Sequence, residues 1–417
     1  MDVKKESSNF FKVGLCDKAF VFFISIFAFL VPIDKQMANT ALIFLTISFL
    51  FLLRKYKVNY TLFFQQPLVK PLGCFFATLL VSIIFSSNIL ISIREYLRMI
   101  TCVLPFLFFA ILSVCNHSVP CDLKQRSIHC YMGGCLISAL YAIYQYLTTK
   151  QLYVTSFYAH HAMFGSFMEV VLPLLAVFFI AQPNYKKKIL YFFLGLVCLA
   201  ALILTQARGP WLGAGIALFV VLIAMRNKLY VNKKSITASI VLIAIVLVMA
   251  SPLYLNRVKT ITDLNWASNY HRVLIWESTI HMIQDYPLTG VGLGQFRKIY
   301  NAQYISPLSQ EPFHLHAHNS YLMYAAENGL INLLAFIYLL FSIGKSLFEK
   351  QKLRDPIGIA VLAVFVALLT NSMVDSFFWA THLAKILWLF IGIALYNLQV
   401  RGGISDLKDI RAYVGKE

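Results

Sequence analysis

Charge is scarce in this sequence. Only 13% of its 417 residues are Asp, Glu, Lys or Arg, about half the share of an average soluble domain, which excludes a string of water-facing globular domains. Acidic residues are scarcer still, 18 against 36 Lys and Arg, and no obvious pair of carboxylates offers itself for acid–base work. The eight cysteines (Cys16, Cys74, Cys102, Cys115, Cys121, Cys130, Cys135 and Cys198) include no CxxC pair. That argues against a disulfide framework or a cysteine zinc site and for small apolar residues of spans and connectors. A cleavable leader is not expected either, because residues 1–17 are polar and basic and no small-residue cleavage site precedes the first apolar run.

What the sequence has in abundance is hydrophobicity: 59% of residues are apolar, and the mean hydropathy is +0.71. Apolar runs recur from near residue 18 to residue 400, and a span needs roughly 20 such residues. The chain therefore reads as an all-α polytopic membrane protein. Twelve helical spans are predicted, near 18–33, 37–53, 68–86, 95–115, 128–148, 160–181, 188–205, 209–226, 235–252, 319–343, 356–376 and 381–399. Pro105 and Pro173 fall inside two of them, as bundles tolerate when neighbours satisfy the freed backbone groups. The domain plan is a tail at 1–17, nine spans within 18–252, a loop at 253–318, three spans within 319–399 and a tail at 400–417.

A net charge of +18 raises the question of nucleic acid, but the cations sit mainly in alternate connectors. With the N-terminus inside, 25 of the 36 Lys and Arg fall on the inner side, the signature of positive-inside topology. The bilayer, not nucleic acid, is then the partner that explains the charge. Both termini are expected to be cytoplasmic, which places the 253–318 loop and the Arg208 connector together outside. Inner cations have a sufficient explanation in topology; the outer ones do not. The loop itself is expected to hold a helix starting at Ser268 or Asn269, with Leu274, Ile275, Ile280 and Ile283 apolar, ended by Pro287 and Gly290 and presenting Arg272 near its start.

Arg208 stands in Ala-Arg-Gly-Pro-Trp-Leu between two spans. A snorkelling anchor is one reading. A functional cation is the other: interfacial charges mark substrate paths, and the planar guanidinium fork suits phosphate. Gly209 permits close backbone approach, and Pro210 fits a first helical turn. His314, His316 and His318 alternate before another apolar run. On an extended strand they would share a face, making a metal site with nearby Glu311 conceivable. The competing reading uses His318 alone as a general base at a span mouth, with Asn319 as helix N-cap. Arg94 and Arg98, with Glu95 between them, read equally as an interfacial salt bridge or as anion guidance. Asp375 is placed to orient a base or an arginine, and Glu169 to be paired inside the bundle. Gly290-Val-Gly-Leu-Gly294 is expected to be a turn, since no strand precedes it.

These residues resemble the bacterial O-antigen ligase family, within the wider group that includes O-antigen polymerases and protein O-oligosaccharyltransferases. Arg208 is followed four positions later by Leu212, and His318-Asn319 is followed after nine residues by Gly329. The family pattern continues two residues later with Gly, Thr or Tyr, where this chain departs from it. Twelve spans with one large, partly helical periplasmic loop before the His-Asn span are also similar to this family. The resemblance implies a GT-C-like, metal-independent, inverting glycosyltransferase of the Gram-negative inner membrane, without cofactor, whose active site faces the periplasm. Its donor would be O-antigen on undecaprenyl diphosphate, and its acceptor a sugar hydroxyl of lipid A–core. By the same implication His318 is the base, and Arg208 and Arg272 hold the diphosphate. Arg297, Arg94 and Arg98 are weaker candidates for that task, and His314 and His316 for supporting or acceptor-binding roles. A polymerase acting on the same donor is the alternative. A large C-terminal region typical of the protein oligosaccharyltransferases is not expected, with about 18 polar residues after the last predicted span. A glycolipid transporter is more remote, because no convincing internal repeat is visible.

Overall fold

In the computed structural model the residues described are 14–115, 123–226, 255–260, 263, 265–309, 313–349, 352–376 and 381–396. They are helical, with no strand among them. The chain begins with α1 (Leu15–Leu30), α2 (Lys35–Leu53), the short α3 (Tyr60–Phe64), α4 (Val69–Ile84) and α5 (Ile89–Leu112). It continues through α6 (Leu123–Thr149), α7 (His161–Ala181), α8 (Tyr185–Thr205) and α9 (Arg208–Met225). Beyond them come α10 (Ala267–Asp285), a short turn of helix at Phe296–Ile299 passing into a π turn at Tyr300–Tyr304, α11 (Ser320–Leu347), α12 (Pro356–Asn371) and α13 (Thr381–Leu395).

Eleven of the twelve predicted spans contain a helix; the ninth, 235–252, lies outside the described residues. Among the described residues seven helices are long and apolar enough to cross a bilayer, while α4, α12 and most of α13 are apolar but shorter. At 1.5 Å per residue, the 16 residues of α4 cover about 24 Å, less than the roughly 30 Å hydrocarbon core. Hydropathy alone marked these runs without measuring where their helices stop. The start of α5 also differs from expectation: Asn88 Oδ1 accepts Ile91 N–H at 3.2 Å and opens the helix at Ile89. Arg94 and Arg98 therefore lie inside α5 rather than at its mouth.

The bundle is centred on α7, whose residues are mostly buried and which packs on α8, α9 and α12. Helix α4 packs on α11, and α5 on α13. The seven described cysteines are free thiols. Above the bundle, α10 rests on the first half of α11. Ile275 and Met282 of α10 share a small core with Val291, Phe296, Met323 and Ala326. Leu274 and Ile275 are buried as the pattern predicted, but Ile280 is exposed and Met282 takes the inner position. The predicted cap is also displaced. Trp266 is the N-cap of α10, because Ser268 and Asn269 spend their side chains on Arg208 and on the carbonyls of Thr260 and Asp263.

Helix α11 is broken at Gly329, which adopts φ 76°, ψ 170°, a region almost reserved for glycine. The break receives the 287–294 turn. Leu330 N–H donates to Pro287 O at 2.8 Å, Val291 N–H to Ala326 O at 2.9 Å and Gly292 N–H to Glu327 O at 2.9 Å. The glycines of the 290–294 stretch thus serve a turn locked into a kinked helix. A Cβ on Gly329 would lie 2.0 Å from Leu288 O. Gly329→Ala combines that clash with a strained backbone costing about 1–3 kcal/mol. A lower melting temperature and lower yield of purified protein are expected; an unchanged melting curve would show the kink to be dispensable.

Candidate functional site

Six segments far apart in sequence meet at one end of the bundle. The connector between α8 and α9 is two residues long: Gln206 caps α8 in the left-handed conformation (φ 56°), and Ala207 caps α9. So tight a turn leaves Arg208 as the first residue of α9. Gly209 follows because a Cβ there would sit 2.5 Å from Asn371 Oδ1. The Arg208 guanidinium donates to Thr260 O at 2.6 Å, to Thr260 Oγ1 at 3.2 Å and to Ser268 Oγ at 3.3 Å.

Arg272 projects from the second turn of α10, and its guanidinium makes no hydrogen bond to another described residue. Burial lowers its pKa, with Asp375 opposing and Arg257 reinforcing the shift. Arg257 itself donates Nε–H to Gln206 O at 3.1 Å and lies over the rings of Tyr153 (5.4 Å) and Trp266 (5.9 Å). Together with His160, the N-cap of α7, and with His318 and Asp375, these arginines line a cavity of about 290 Å³.

His318 has a left-handed backbone (φ 51°), tolerated better by His than by most residues. The next residues hold it there. Asn319 Oδ1 accepts Tyr321 and Leu322 N–H at 2.9 and 3.0 Å, as expected for the N-cap of α11, and its Nδ2 donates to Met373 O at 3.0 Å. Ser320 N–H donates to Ser372 O at 2.9 Å, and Ser320 Oγ to Asp375 O at 3.2 Å. The turn after α12 is thereby stitched to the start of α11. Asp375 Oδ1 comes within 3.6 Å of His318 Nδ1, longer than a hydrogen bond but close enough to orient the ring and stabilise it once protonated. Burial works to raise the Asp375 carboxyl, yet the His318 and His316 imidazoles and the Ser376 N–H outweigh it and hold it below the usual carboxylate range. Asp375 thus stays ionised beneath an imidazole whose Nε2 is the nitrogen not turned toward it.

The three alternating histidines do not share a face, because the segment bends instead of extending. His314 is buried edge-on against Tyr300, and its backbone is held by Asn301. His316 and His318 remain neighbours, their ring centroids 4.2 Å apart. Burial, reinforced by His318, lowers the His316 pKa to about 4, so this ring is neutral at pH 7. His316, His318 and Asp375 each offer a ligand atom, all within 4.8 Å of one another; this is the set that could hold a metal, and Glu311 lies outside the described residues.

A second cavity of about 460 Å³ adjoins the first and shares His160, Ala162, His318, Asn371 and Asp375 with it. Arg98, His314 and His316 line it, with Lys35 and His382. Arg98 is also paired with Glu95 at 2.5 Å, so its salt bridge and its place at a cavity coexist. Arg94 and Arg297 line neither cavity; Arg297 covers the Phe313 ring at 4.6 Å. Glu169 is paired inside the bundle as expected, accepting from Asn371 Nδ2 at 2.7 Å beneath both cavities.

Arg257, His160 and Lys35 were not singled out from sequence. Arg257 and Lys35 did carry a signal, as cations on the side that topology leaves unexplained. His160 carried little, since at the end of an apolar run it reads as a span boundary.

The match to known families falls on this site. No curated protein matches the chain. Residues 192–337 match the family model described as O-antigen ligase, a stretch that includes Arg208, Arg257, Arg272 and His318. That stretch is thus similar to the O-antigen ligase family, the group the chain's motifs resemble.

Proposed function

We propose that the protein is an O-antigen ligase, transferring O-antigen polysaccharide from undecaprenyl diphosphate to a sugar hydroxyl of lipid A–core at the periplasmic face of the inner membrane. The observation that carries this reading is the cavity in which three guanidiniums face an oriented imidazole. A diphosphate ester is already activated, so positioning and electrostatics supply much of the barrier lowering. His318 takes the proton of the acceptor hydroxyl as its oxygen bonds to the anomeric carbon. The bond from that carbon to the diphosphate oxygen breaks, and the lipid diphosphate leaves with the electron pair. Arg208, Arg257 and Arg272 neutralise its growing charge, and Asp375 stabilises the imidazolium. The bulk of neutralisation comes from side chains, so transfer is expected to resist chelators.

Purified protein supplied with undecaprenyl-diphosphate-linked glycan, with and without rough lipopolysaccharide, tests the reading. Transfer onto lipopolysaccharide is expected. Elongation of the lipid-linked glycan in its absence would instead identify a polymerase, and the absence of both products would refute glycosyl transfer.

A further inference from the structure

We propose that the second cavity receives the acceptor and selects one bearing a phosphate near the accepting hydroxyl. The inference rests on the glycosyl-transfer reading and adds the acceptor's chemistry to it. A transferase must bring two substrates to one base, and His318 lines both cavities. The first is filled with arginines suited to the donor's diphosphate. The second, at about 460 Å³, falls within the range of small-ligand pockets and admits sugar rings.

Its wall is cationic without a structural reason to be so. Lys35, the first residue of α2, is exposed and has no hydrogen-bond or ion-pair partner among the described residues. Behind it, Lys385 is buried, and its Nζ donates to the neutral Asn39 Oδ1 at 2.6 Å. His382, also buried, lines the same cavity. The nearby carboxylates are already engaged: Asp34 caps α2 through Met37 N–H at 2.7 Å, Glu95 holds Arg98, and Asp375 holds His318. A buried ammonium such as that of Lys385 is costly unless an anion nearby offsets its charge. A phosphate on the acceptor, docked against Lys35, supplies that anion and fixes which hydroxyl reaches His318.

The test uses full-length protein in phosphatidylcholine nanodiscs at fixed donor concentration, with rough lipopolysaccharide either native or phosphatase-treated as acceptor. Dephosphorylation is expected to lower kcat/KM about tenfold, the weight of one hydrogen-bonded charge contact. Lys35→Gln is expected to cause a similar loss on native acceptor without adding to the loss from dephosphorylation. The donor KM stays constant, and Lys35→Arg restores most of the rate, which separates recognition from misfolding. Equal use of both acceptors by wild type overturns the proposal while leaving glycosyl transfer intact, as does a Lys35 loss that multiplies with dephosphorylation. A preference seen only with phosphatidylglycerol in the disc assigns the cations to lipid headgroups and also overturns it. Failure to glycosylate either acceptor, with elongation of the donor glycan, overturns both readings.

Discussion

His318→Ala is expected to abolish glycan transfer and to leave the protein inserted and abundant. Removing a general base costs about 10²- to 10⁴-fold. His316 is the nearest imidazole, but with a pKa near 4 it is too weak a base to take over at neutral pH. Asp375, kept strongly ionised, is weaker still. The left-handed backbone at 318 makes alanine mildly strained, so His318→Asn, whose side chain tolerates that conformation, should be equally inactive with an undisturbed melting curve. Smooth lipopolysaccharide from cells carrying either variant would remove His318 from the chemistry.

The second large effect is expected at Arg272. Arg208 divides its donors between Thr260, Ser268 and the cavity, whereas Arg272 has no such commitment and is free to follow the charge that develops on the leaving diphosphate. Losing one preorganised donor costs about 10²- to 10³-fold in kcat, and Arg272→Ala should fall in that range with little change in stability. Arg208→Lys keeps the charge but loses the fork and the two anchors, so both kcat and the melting temperature should fall. Steady-state kinetics on purified variants separate these patterns. An Arg272→Ala enzyme with normal kcat and a raised donor KM would make that residue a docking contact only.

Much of this arrangement was legible in sequence because it rests on local rules. The apolar runs became helices, Asn319 became a cap, and Arg208, Arg272, His318 and Asp375 came together at one cavity. Where local rules compete, the reading failed. Ser268 and Asn269 are good helix caps, but an arginine and two carbonyls claimed them first, and Trp266 took the role. The alternation at 314, 316 and 318 implied one face only if the segment were extended, and the bend at 315–316 separated His314 from the others. Gly329 had a place in a motif but no evident duty until the 287–294 turn was found seated in the helix break. His160 and Lys35 depend on contacts between distant helices, which hydropathy does not encode. The second cavity was therefore invisible until the fold was known.

The proposed reaction is a single displacement driven by His318 with arginines on the leaving group. Among residues lining either cavity, Asp375 is the one carboxylate, and it faces His318. A retaining route would need a carboxylate nucleophile at the anomeric carbon. The decisive measurement is the anomeric configuration, by NMR, of the linkage that purified wild-type protein forms from a donor of known configuration. Inversion is the predicted result. Retention would require a glycosyl-enzyme intermediate and would contradict the account.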